Sequence, residues 1–130
     1  MRIYKALKDI AKKIMSTNAA EKRIEPPDTY NGGEAYGVDT LAIQYIQQSA
    51  GSGIEQMTIS AVIMCYLNAG TDIDGWLTGA LQKLGYPKLS DILATYNEIV
   101  AITIDKVVVY SLNAFQKRAV AIHLSVVSNL

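Results

Sequence analysis

Seven of the chain's twelve Lys and Arg residues fall in its first 23 positions: Arg2, Lys5, Lys8, Lys12, Lys13, Lys22 and Arg23. Cations at roughly helical spacing neutralise phosphates by point-charge contact and read no bases. Ser16 and Asn18, with Thr17 between them, add hydroxyl and amide donors for phosphate oxygens. Only Asp9 and Glu21 oppose these bases, so residues 1–23 hold seven bases against two acids, or +5. Residues 24–130 hold five bases against ten acids, or −5. The zero net charge thus conceals a dipole, which points to an anionic partner for one end of the molecule.

Other reactive residues point away from an enzyme. Cys65 is the single cysteine, so it has no disulfide partner in the chain and no thiolate cluster for a metal. Its surroundings, Val62 to Leu67, predict a buried, inert thiol. His123 is also alone, set among apolar neighbours, and reads as a core or interface residue. Asp72-Ile73-Asp74-Gly75 echoes the start of a calcium loop but lacks its later acidic ligands, so helix capping explains it better. Neither a phosphate-cradling glycine loop nor a Gly-x-Ser-x-Gly nucleophile motif is present. No cofactor and no metal are expected.

The elements that must position the basic residues read as helices. Ile3, Leu7, Ile10 and Ile14 recur at steps of four, three and four, with the lysines on the opposite arc. Ser16 to Asn18 frays this helix, Ala19 to Arg23 resumes it, and Pro26-Pro27 ends it. The expected organisation is a basic helical arm over 1–25, a Pro/Gly connector over 26–38, and a body over 39–130. That body is expected to be all-α, with four or five helices. One runs from about Asp39 to Gln48. A second, opened by a Ser52/Glu55 capping box, runs to Ala69 and stops at Gly70. A third spans 73–84 and ends at Gly85 with Pro87 beyond, and its Gly75 and Gly79 suggest close approach by a neighbouring helix.

From Asp91 to Ser128 there is no Gly or Pro, which predicts one helix of about 57 Å, or two with a break near Thr103–Asp105 or Ser111–Asn113. A hairpin of Ile99–Ile104 with Val107–Val109 is the alternative, disfavoured because Asp105-Lys106 lacks a turn glycine. The second and third helices do not make a DNA-reading pair, since the third offers Asp72 and Asp74 against Lys83 alone. The longest charge-free stretch, Gln56 to Thr71, is too short and polar to cross a bilayer as a helix. The N-terminal bases alternate with apolar residues, unlike a secretory signal.

Charged residues are only 18% of the chain, against roughly 25% in typical soluble domains. Part of the body therefore calls for cover by copies of itself or by lipid. A basic helical arm, a proline bend and a small apolar helical body together resemble the major coat proteins of filamentous and rod-shaped archaeal viruses. The resemblance implies a virion protein that assembles helically, alone or alternating with a related coat subunit. It further implies that Arg2, Lys5, Lys8, Lys12, Lys13, Lys22 and Arg23 wrap double-stranded DNA, and that a lipid envelope contacts the body. The alternative from the residues alone is a peripheral membrane or scaffold module, cytoplasmic or membrane-associated, anchored by the N-terminal helix.

Overall fold

In a computed structural model, described over residues 2–47, 50–51, 53–85, 89–112 and 117–130, the body is built on a β-sheet. The order along the chain is α1 (Ile3–Ile14), β1 (Ala20–Glu21), a single 3₁₀ turn at Pro27–Thr29, β2 (Ala35–Ile46) and β3 (Gln56–Leu67). Then come α2 (Ile73–Leu84), α3 (Ser90–Thr95), β4 (Ile99–Leu112) and β5 (Lys117–Asn129). The five strands lie in the order β1-β2-β3-β5-β4. β1 runs parallel to β2, and every other neighbouring pair is antiparallel.

This overturns the all-α body, and the residue types say why. β3 has no charge, and from Ala61 to Leu67 no polar alternation, because it is the middle of the sheet and both its faces are covered there. Ile59, Ala61, Ile63 and Cys65 face a core shared with α1, α2 and α3. Val62, Met64 and Tyr66 face a second cluster on the opposite side. Residues 99–112 and 117–129 are strands because Ile, Val and Thr, branched at Cβ, crowd a helical turn but fit a pleat. The alternative hairpin of Ile99–Ile104 with Val107–Val109 does not form either: both segments belong to β4, joined by a β-bulge at Asp105-Lys106, and both pair with β5. The helix expected near 39–48 is the outer part of β2. Ala20-Glu21, expected to resume the first helix, instead pairs with Ala35-Tyr36.

Two helices lie where expected, at 3–14 and 73–84. Gly75 does not receive a neighbouring helix: a Cβ there would lie 2.6 Å from the Asp72 carboxylate of its own first turn, and one at Gly79 would meet nothing. Ser52, Pro87 and Asn113 lie outside the described residues.

α1 does not project. Ile3, Ala6, Leu7, Ile10, Ala11 and Ile14 are each at most 3% exposed, packed on the sheet's first face beside α2 and α3. The second face is covered by the segment between β1 and β2. Tyr30 stacks on Tyr66 with ring centroids 4.2 Å apart. The Tyr66 hydroxyl donates to the Glu25 carbonyl at 2.7 Å and accepts from the Glu25 N–H at 2.9 Å.

Candidate functional site

The nine residues expected to meet phosphate lie on α1, in the turn after it and just beyond β1. Docking on the sheet supplies most of the bases with acids. Arg2 Nε lies 3.3 Å from Glu98 Oε1, while its Nη2 donates to the Thr95 carbonyl at 2.6 Å and its guanidinium covers the Tyr96 ring. Lys8 lies 3.6 Å from Glu21 and over the ring of Tyr4. Lys13 donates to both oxygens of Asp91, at 2.9 and 3.0 Å, tying α1 to α3. That bond holds the Asp91 carboxyl below its ordinary range. Lys22 pairs with Glu25, which raises its pKa, and sits over the rings of Tyr30 and Tyr66. The Ser16 hydroxyl donates to Glu34.

Among the described residues, Lys5, Lys12 and Arg23 are exposed and have no ion pair, and Asn18 is also exposed. The structure does not gather the nine residues on one face: α1 lies over the sheet's first face, whereas Lys22 sits over Tyr30 and Tyr66 on the second, and three cations of the seven are left without an ion pair. Three of the four ion pairs, Arg2–Glu98, Lys13–Asp91 and Lys22–Glu25, join the two segments, so part of the +5 is answered within the fold.

Asp9, which interrupts the basic face, accepts from the Tyr96 hydroxyl. A cleft of about 500 Å³ beside β1 is lined by Tyr4, Glu21, Lys22, Arg23, Ile24, Val38 and Asp39, a mixture of charges rather than an anion cradle. Among the described residues, no cluster of three or more His, Cys, Asp or Glu is placed to hold a metal, and no helix is long and apolar enough to cross a membrane. Cys65 is fully buried and its thiol is pushed up to about 12 by desolvation.

A second surface escaped the sequence reading. β1 pairs only with the start of β2, so from Asp39 to Ile46 the outer edge of β2 borders no strand among the described residues. Leu41 and Tyr45 on it are each 57% exposed, and Ile43 is 39% exposed. The signal was present: Leu41-Ala42-Ile43-Gln44-Tyr45 alternates at the period of a strand. β4 forms the opposite edge, paired only with β5 and exposing Val100 and Val109.

No family model matches the sequence, and no curated protein matches it. Among solved structures the fold is similar to a chain of the virion of a native gene transfer agent (GTA) particle, with a TM-score of 0.51. That likeness covers 98% of this chain and 92% of the other at 11% sequence identity. It is a likeness of fold, and it replaces the resemblance to archaeal filamentous coat proteins in one respect: the all-helical body on which that resemblance rested is absent.

Proposed function

We propose that this chain is a structural, non-enzymatic subunit of a virion-type particle, assembled with copies of itself or with a related subunit. The observation that carries this reading is the fold likeness to a virion chain over nearly the whole of both molecules. The apolar, strand-free edge at Asp39–Ile46 supports it, since an open edge of this kind is a template for pairing with another chain. Particles purified from the source should contain the chain in stoichiometric amount, read by mass spectrometry; its absence from them would overturn the reading.

Contact with double-stranded DNA falls to the outward face of α1 and to Arg23, which shares a cleft with Tyr4 of that helix, and reads no sequence. Its support is the exposure of Lys5, Lys12 and Arg23 without acidic partners. A freed arm that wraps the duplex is not part of this reading, because α1 holds one side of the core. The interfacial-anchor alternative draws no support from α1 either, whose apolar stripe faces the sheet and not the solvent. Three phosphate contacts give a log–log salt slope of about −2.7, at roughly −0.9 per contact. Fluorescence polarisation with dilute subunits and duplex of mixed sequence measures it. The K5Q/K12Q/R23Q protein should bring the slope near zero. A wild-type slope already near zero, or binding limited to one sequence, would remove DNA from the list of partners.

A further inference from the structure

We propose that the open edge of β2 docks, antiparallel, on the β4 edge of a second copy, in the register that sets Asp39 opposite Lys106. The inference rests on the structural-subunit reading and names the surface it would use.

Polarity comes first. β2, β3, β5 and β4 alternate in direction, so the two outer strands of this four-strand run are opposed. A copy displaced sideways along the sheet therefore brings Asp39–Ile46 of its β2 antiparallel to Ile99–Lys106 of the first copy's β4; the pairing ends there, because β1 holds the edge of β2 at Ala35 and Tyr36 and the rest of β4 must turn aside at its bulge. The helix-covered face then stays on the same side in both copies. Each copy keeps its own β2 edge and β4 edge distinct, which makes the contact heterologous; it closes into a ring or continues as a filament according to the rotation between neighbours.

Register comes second. Residues of one cross-sheet row can be traced through the ladder: Asp39 pairs with Val62, Val62 with His123, and His123 with Lys106. The acid and the base thus lie in the same row at opposite edges. Both are exposed, and neither has an ion pair among the described residues. Displacement along the row places them face to face between copies. The apolar rows agree: the row of Ile43 ends in Ile102, and the row of Tyr45 ends in Ile99. A slip of one residue would move every one of these side chains to the wrong face, so the chemistry of the rows selects the register.

Two-fold pairing of β2 with β2 would also cover the exposed apolar residues, but it would leave Lys106 unused. This difference makes the occupant testable. The full chain, with D39K, K106D and the combined D39K/K106D protein, is examined by sedimentation velocity over a concentration series. Unfolding midpoints confirm that each variant folds. Wild-type protein should associate, each single reversal should weaken association by about tenfold through like charges set opposite, and the combined variant should restore most of it. The proposal fails if wild-type protein stays monomeric at every attainable concentration. It fails equally if K106D has no effect, as two-fold β2 pairing requires, or if the combined variant is no better than the single ones. A chain found in purified particles whose association ignores both reversals would retire this interface alone; a chain missing from particles would retire the structural role itself.

Discussion

Replacing Leu7 with Ala measures how far the N-terminal helix belongs to the fold. Leu7 is 0% exposed and sits among Ile3, Ile10 and the inward residues of β3. Leu→Ala removes three carbons; at about 0.8 kcal/mol each the transfer term is about 2.4 kcal/mol. The cavity left behind, incompletely filled in a close-packed core, brings the expected loss to about 3–4 kcal/mol. With a urea m-value of about 2 kcal/mol/M, the unfolding midpoint should fall by about 1.5–2 M. Equilibrium urea unfolding followed by far-UV circular dichroism reads this directly. Lys12→Ala, on the exposed face of the same helix, is the control and should change stability by less than about 0.5 kcal/mol. If Leu7→Ala left the midpoint unmoved, the helix would be an appendage and the docked arrangement would be refuted. The same magnitude argues against DNA wrapping by a released arm: undocking α1 would expose five further apolar residues besides Leu7, at a cost that free lysines on a salt-screened surface do not offset.

Two further outcomes follow from particular sites. Cys65, with its thiol at about 12, should resist iodoacetamide in the native state between pH 7 and 9, where an exposed thiol near 8.5 turns reactive. Because the folded value is raised, the associated stability is present below the unfolded thiol's pKa and declines as pH rises beyond it; native labelling that climbs through pH 8.5 would contradict the burial. Gly79→Ala should raise stability by about 0.5–1 kcal/mol, since the position is mid-helix and a Cβ would meet nothing. Gly37→Ala should lower it, because a Cβ would come within 2.8 Å of the Lys22 carbonyl oxygen and of Ile24. Thermal melts of the two variants should therefore shift in opposite directions.

The two longer helices were legible because each shows a 3.6-residue apolar period over a full three turns. β3 was not, because from Ala61 onward it is buried on both faces, loses the alternation that Gln56 to Ser60 still shows, and looks like a buried helix segment. The stretch from Asp91 onward was misread by weighing the absence of Gly and Pro above the density of β-branched residues. The pairing of the basic residues was not legible. Arg2 finds Glu98 and Lys13 finds Asp91 only after the chain has returned across the sheet, and no local pattern records such distant partners. What the sequence did contain was equal and opposite charge in its two segments, which is as consistent with self-complementarity as with an external polyanion.

The phenol of Tyr66 has a mechanical consequence. The segment it holds passes through two prolines and joins no ladder at that point, yet both backbone polar groups of Glu25 are answered by one oxygen on the middle strand. That crossing is fastened by a rivet and not by a seam. Force or a protease acting there can lift the covering segment away from the second face without unzipping a single strand pair, leaving the helix-backed side of the sheet intact.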